Sequence, residues 1–119
     1  RRHIELAWDE EKGGLQLALD IDGKEPIFWG KPTYKPWWVQ CEAVVGYLDQ
    51  WQQSGDPRYR QLALQTYDYI LQYLVDDAHG EWYWAILPDG SIDQENDKAG
   101  LWKCPYHNSR MCFEIIERL

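Results

Sequence analysis

Apolar residues recur along this chain with two different periods. Residues 14–21 and 81–88 alternate weakly, and each run ends in an Asp-Gly pair, Asp22-Gly23 and Asp89-Gly90. That pattern predicts two short hairpins. Cys41, Val44, Val45, Leu48 and Trp51 fall instead at helical spacing and predict an amphipathic helix closed by Gly55. Asp56 followed by Pro57 is an N-cap with proline at the first helical position. Tyr59, Leu62, Ala63, Tyr67, Ile70, Leu71 and Leu74 carry a second helix as far as Asp76. Met111, Cys112, Ile115, Ile116 and Leu119 predict a last helix, and His3 to Trp8 read as the end of an earlier one. The expected order is hairpin, helix, helix, hairpin, helix.

The second half echoes the first. Gly13 and Gly80, Asp22 and Asp89, Gly23 and Gly90, and Lys31 and Lys98 are each 67 residues apart. A fixed offset at turn-forming positions indicates repeated architecture. The same offset aligns Gln40 with His107. Fewer than two units are present, and stacked repeats need about three to bury a continuous core. The expectation is therefore part of a larger helical repeat or barrel, with both ends cut.

The chain has 119 residues and a formal net charge of −8, which allows one domain. An acidic balance argues against nucleic acid, whose phosphates need a basic face, and against an anionic membrane surface. No apolar run approaches the roughly 18 residues of a membrane span. Cys41, Cys104 and Cys112 are odd in number and lack CxxC spacing, so neither a disulfide framework nor a zinc site is expected, and reduced thiols in the cytoplasm are the simple reading. Eight Trp against two Phe is an excess that needs a cause.

Two clusters carry candidate chemistry. In Lys35-Pro36-Trp37-Trp38-Val39-Gln40-Cys41-Glu42, a helix starting at Pro36 puts Trp38 and Glu42 four apart on one face. An indole beside a carboxylate suits a sugar, stacking on its C–H face while accepting from its hydroxyls; core packing with an ion-paired Glu is the competing account. In Trp102-Lys103-Cys104-Pro105-Tyr106-His107-Asn108-Ser109-Arg110, Asn108 is a candidate cap for the last helix. His107 then faces the positive helix end, which disfavours imidazolium and suits a general base; a hydrogen-bonded structural histidine is the alternative. Arg110 has Glu114 at i+4 as a possible partner. His79 reads as a solvated turn residue, and residues 93–97 as a solvated loop. Trp82 and Trp84 share one strand face, either lining a cleft or packing beneath it. Phosphate-loop, GxSxG and HExxH motifs are missing.

These two strings, together with Gly80-Glu81-Trp82-Tyr83-Trp84, resemble the C-terminal part of the N-acylglucosamine 2-epimerase superfamily, and within it the subfamily acting on cellobiose. The resemblance covers essentially the whole chain. It implies an all-α fold, a partial (α/α)6 barrel of about the last third, with short β-hairpins between helix pairs and no second domain. It implies epimerisation at C2 of the reducing-end glucose of β-1,4-linked disaccharides of the cellobiose, lactose and mannobiose class. Proton transfer by two histidines would run through a cis-enediol(ate), with no metal or organic cofactor, in an enzyme that is a monomer or weak dimer.

By that resemblance His107 is one of the two acid/base histidines and Glu42 orients it or tunes its basicity. Trp38 and Trp102 hold the sugar, with Arg110 as a neighbour. The second histidine, and an arginine near O1/O2 of the sugar, have no counterpart here; the surroundings of His3 do not match the family's motif. Cys41 stands where small residues such as Ala often occur. Competing functions are a related N-acylglucosamine epimerase or aldose-ketose isomerase, a glycoside hydrolase pairing Glu42 with Asp89 or Glu81, and a non-catalytic sugar-binding helical module.

Overall fold

The computed structural model describes residues 6–119; the proposed helix end at His3 to Trp8 therefore lies partly outside the described residues. The elements are β1 (Ile27–Phe28), β2 (Lys31–Pro32), β3 (Lys35–Pro36), α1 (Trp37–Ser54), α2 (Pro57–Tyr69), a π-helical turn (Ile70–Leu74), β4 (Ala85–Ile86) and α3 (Tyr106–Arg118). Helix α1 packs against both α2 and α3.

Helix α1 starts where the sequence places it. Pro36 is extended, with φ −76° and ψ 153°, and provides no side-chain cap. The Trp37 N–H is satisfied instead by the Trp84 carbonyl at 3.0 Å. Gly55 closes the helix at φ 70°, a left-handed conformation that costs glycine little. Asp56 then caps α2 by accepting from the Arg58 N–H at 3.0 Å, as Asp-Pro at a helix start requires. The core is Trp37, Cys41, Val44 and Leu48 of α1 with Ala63, Ile70 and Leu74. Met111 of α3 is 0% exposed among them. The rest of the predicted α3 stripe differs: Ile115 packs partly on the core, whereas Cys112, Ile116 and Leu119 are exposed. Residues 111 and 115 share the face turned to α1, and 112, 116 and 119 lie one step round the helix.

The repeat is visible in the backbone. Antiparallel bridges join Trp8 to Leu15 and Val75 to Trp82, both pairs offset by 67 residues. Within each loop an Asp N–H reaches the same carbonyl, Asp9 to Gly14 at 3.0 Å and Asp76 to Glu81 at 2.9 Å. Gly14 and Glu81 both have positive φ, 78° and 62°. Each loop is also clamped by a lysine. Lys35 Nζ donates to Asp9 Oδ2 at 2.7 Å and to the Gly13 carbonyl at 2.6 Å; Lys98 donates to Asp76 Oδ2 and to the Gly80 carbonyl. The counterpart of Lys98 is thus Lys35, not Lys31 as the constant offset predicts. The β1–β2 excursion before Lys35 and the longer loop after Lys98 break the offset locally, and it returns at Gln40 and His107.

The expected hairpins are short and largely irregular, but the second turns where the sequence places it: the Leu87 N–H donates to the Ser91 carbonyl at 2.8 Å and Ile86 bridges Ile92 across Asp89-Gly90. Around residues 14–21 the pairing is the single Leu15 bridge, because the Gln40 amide takes the place of a neighbouring strand: it accepts from the Leu15 N–H and donates to the Leu15 carbonyl, both at 2.8 Å. In the second unit β4 pairs with β3 of the first, Lys35 opposite Ile86 and Pro36 opposite Ala85. Among the described residues, strands β1 and β2 form a hairpin that turns at Trp29 and Gly30, both left-handed.

Candidate active site

Glu42 sits in the second turn of α1, and His107 and Arg110 sit near the start of α3. The packing of α1 on α3 brings the three together. His107 Nδ1 lies 2.8 Å from Glu42 Oε1, and Arg110 Nη1 donates to Glu42 Oε2. One carboxylate thus holds two partners, one on each oxygen. An ionised carboxylate only accepts, so Nδ1 carries the proton in this contact; the tautomer that meets this requirement has Nε2 as its acceptor. Burial pushes the Glu42 carboxyl up, but hydrogen bonds from Arg110 and His107, and then their charges, outweigh it and hold the group below the ordinary carboxylate range. The same bond to Glu42 raises the Arg110 guanidinium.

Three aromatic rings surround the imidazole. The Trp38 centroid is 6.0 Å away with planes 40° apart. Trp37 and Tyr106 meet it edge-on at 6.4 and 5.0 Å. Trp37 is buried while Trp38 is 38% exposed, and the His107 side chain is 30% exposed. The cluster is therefore open to a ligand on the Trp38 side and closed on the Trp37 side.

Helix α3 begins at Tyr106, with Pro105 as a cap residue that makes no side-chain bond. Asn108 lies inside the first turn and is not the cap; its Oδ1 is buried with no hydrogen-bond partner among the described residues. His107 remains in the first turn, beside backbone N–H groups that the helix does not satisfy. Arg110 pairs with Glu42, and Glu114 pairs with Arg118, so of the two readings open for Arg110 the i+4 pair with Glu114 is not formed.

Of the five predicted residues, His107, Glu42, Trp38 and Arg110 come together. Trp102 does not join them: it is 83% exposed at a tight turn in which Gly100 and Lys103 exchange backbone hydrogen bonds at 3.0 and 3.2 Å. Cys41 is a packing residue, its thiol pushed up to about 12, first by burial. His79 is an exposed turn residue whose Nδ1 lies 3.3 Å from Asp76 Oδ2. In the acidic loop Asp93 departs from expectation: it is buried, and its carboxylate accepts from Glu95 and Asn96. Trp84 packs on Trp37 at 4.7 Å, beneath the cleft.

The carboxylates proposed as a hydrolase pair are occupied elsewhere. Asp89 accepts from the Ser91 N–H and hydroxyl within its own turn, and Glu81 is half-exposed 3.8 Å from Lys103. Among the described residues no group of three His, Cys, Asp or Glu side chains is placed to hold a metal ion, and no helix is long and apolar enough to cross a membrane. Sequence reasoning gave no role to Gln40 as a strand mimic or to Lys103. Neither has a side-chain partner that spacing would reveal.

The family model described as N-acylglucosamine 2-epimerase (GlcNAc 2-epimerase) matches residues 1–110. The chain is 49% identical over 80 residues to a cellobiose 2-epimerase of Bacteroides fragilis, an alignment spanning 67% of this chain and 20% of the relative. It is 32% identical over 117 residues to the N-acylglucosamine 2-epimerase of Bos taurus, spanning 94% and 27%. Among solved structures, a cellobiose 2-epimerase from Spirochaeta thermophila superposes with a TM-score of 0.69 at 42% identity, over 73% of this chain and 22% of that one. A D-mannose isomerase superposes with a TM-score of 0.82 at 25% identity, over 97% and 28%. The helix pairs with short intervening strands are those of part of an (α/α)6 barrel. The chain spans about a fifth of the length of the curated cellobiose 2-epimerases it matches.

Proposed function

The chain belongs to the N-acylglucosamine 2-epimerase family, and on that premise we propose that it supplies one half of a proton-transfer site for sugar C2 epimerisation. The substrate class is the β-1,4-linked disaccharides, with cellobiose converted to glucosyl-mannose and lactose to epilactose. The observation that carries the reading is the His107–Glu42 contact at 2.8 Å beneath a half-exposed Trp38. It gives a base of fixed tautomer next to a platform for a sugar face.

The chemistry runs as follows. The reducing-end sugar opens to its aldehyde, and Trp38 stacks on the chain. His107 Nε2 takes the proton from C2, leaving a cis-enediolate. Glu42, ionised through its bonds to Arg110 and His107, stabilises the imidazolium that forms, so charge moves toward the carboxylate rather than into a vacuum. Positioned base catalysis of this kind contributes about 10²–10⁴-fold. Donors aimed at the enediolate oxygen supply a further large term. Return of a proton to the opposite face of C2 inverts the centre and needs a second carrier. His79 is engaged in the Asp76 turn, so that carrier, and the arginine for O1/O2, come from outside the described residues. The 119 residues form part of a single (α/α)6 domain. Trp102 serves the sugar from its exposed turn, and the enzyme works in the cytoplasm as a monomer or weak dimer.

The test is epimerisation of cellobiose in D2O by the full protein. Deuterium should appear at C2 of the isomeric disaccharide, and His107→Asn should abolish it. Released monosaccharide would mean hydrolysis instead, and undiminished exchange in the variant would remove His107 from the mechanism.

A further inference from the structure

The two repeats solve one problem with different residues. In the first, Gln40 fastens the incoming segment by bonding the Leu15 carbonyl at 2.8 Å. The corresponding residues in the second are His107 and Trp82. His107 does not bond the Trp82 carbonyl; its ring turns to Glu42. The Trp82 carbonyl is held by Lys103 Nζ at 2.7 Å.

Lys103 is an unusual choice for a fastener. It is only 3% exposed, and it also donates to the Lys98 carbonyl. Its nearest carboxylate, Glu81 at 3.8 Å, is half-exposed. Its ammonium sits 5.2 Å from the Trp37 ring. Burial lowers the pKa of the group. A buried cation without a buried counter-ion is costly, and an apolar side chain of like volume would often be as stable. The cation has two neighbours that give it a use. One is the Trp82 carbonyl, which a histidine at 107 leaves without its amide. The other is Trp37, whose indole is packed between Lys103, Trp84 and the edge of His107. A cation on one side of an indole holds that ring in place, and the ring forms the closed wall behind the imidazole.

We propose that Lys103 is a positioning residue for His107: it takes over the strand-fastening task that Gln40 performs in the first repeat, and through Trp37 it fixes the plane of the imidazole against Glu42. The inference rests on the reading of His107 as the proton carrier. A base held off its productive geometry loses rate without losing substrate. Lys103→Met in the full protein should therefore lower kcat about tenfold while KM stays within about twofold. Lys103→Arg, which keeps a cation and its donors, should recover most of the rate. In proton NMR spectra of the full protein, the Nδ1 proton resonance of His107 should broaden or vanish in Lys103→Met and persist in Lys103→Arg. If Lys103→Met does not fold, Trp37→Phe, which alters the wall and keeps the fastener, should give the same loss confined to kcat. A folded variant with unchanged kcat and an unchanged resonance overturns the inference, and so does a matching change in KM alone. The outcome with His107→Asn keeps the two readings apart: exchange lost there but untouched in Lys103→Met condemns the role of Lys103 only, and exchange surviving in His107→Asn condemns the base assignment itself.

Discussion

His107 Nδ1 and Glu42 Oε1 are 2.8 Å apart although 65 residues separate them in the chain. The contact exists because α1 and α3 lie side by side, each presenting an early turn to the other. Glu42 also holds Arg110, so the carboxylate is the shared element on which both side chains of α3 depend.

Replacement of Glu42 tests that dependence. Glu42→Gln keeps the shape but removes the charge and turns one acceptor into a donor facing Arg110. The expected result is a fall in kcat of about 100-fold with KM within about threefold, since the lost interaction matters most when the imidazole is charged. Initial rates on cellobiose measure it.

Removal of the aromatic platform separates the two exposed tryptophans. Trp38→Ala should raise KM and lower kcat together, each by about tenfold, because Trp38 both holds the sugar and flanks His107. Trp102→Ala, at a turn away from the cluster, should act on KM alone, with a loss of about 1 kcal/mol of binding or less. Steady-state kinetics on both variants check the contrast.

The acid limb of stability should carry the signature of the loop clamps. The Lys98 hydrogen bond, against burial and aided by Tyr83 and two backbone N–H groups, holds the Asp76 carboxyl well below the usual carboxylate range. A depressed folded value adds stability above the unfolded value, about 3.9 for Asp, and that stability is lost as the pH falls through the folded value. Asp76→Asn should thus melt well below the parent at pH 7, and the gap should narrow steadily as the pH is taken below about 4. Thermal melts of both proteins across pH 2.5 to 7 measure the gap; a constant one would contradict the clamp.

Gly14 and Glu81 occupy the same place in the two repeats and should respond oppositely to substitution. At Gly14 a Cβ would lie 2.7 Å from the Tyr69 ring in a left-handed conformation. Gly14→Ala should cost about 2 kcal/mol or more. Glu81→Gly relieves a non-glycine residue at φ 62° and should be neutral or stabilising by up to about 1 kcal/mol. Chemical denaturation of the two variants decides.

Much of the helical frame was legible because its signals are local. Gly55, Asp56 and Pro57 mark one boundary in three consecutive residues, and the α1 stripe needs only its own spacing. The i,i+4 relation of Trp38 and Glu42 was readable for the same reason. The β1–β2 hairpin was not, since Trp29-Gly30 lacks the Asn or Asp that normally announces such a turn. The start of α3 was misplaced because Asn108 looks like a cap, whereas Pro105 and the preceding turn set the entry. The Lys35–Asp9 clamp was hidden by loops of unequal length between fixed repeat positions. No spacing rule links Glu42 to His107; only resemblance to a family joined them. Lys103 escaped notice because its partners are main-chain carbonyls and an indole face, which leave no mark in a sequence.

The two-residue ladder between Lys35–Pro36 and Ala85–Ile86 has a consequence for how such a molecule can change. Although the repeats are modular as text, neither is self-sufficient as an object: the opening N–H of α1 is answered by Trp84, a residue of the following module. Cutting the polypeptide between them, or grafting one onto a foreign neighbour, would orphan that donor and unseat the helix bearing Glu42. Growth is tolerable at the Trp29–Gly30 tip, which lies outside the ladder. Evolution can thus lengthen this architecture at its fringe far more readily than it can shuffle its parts.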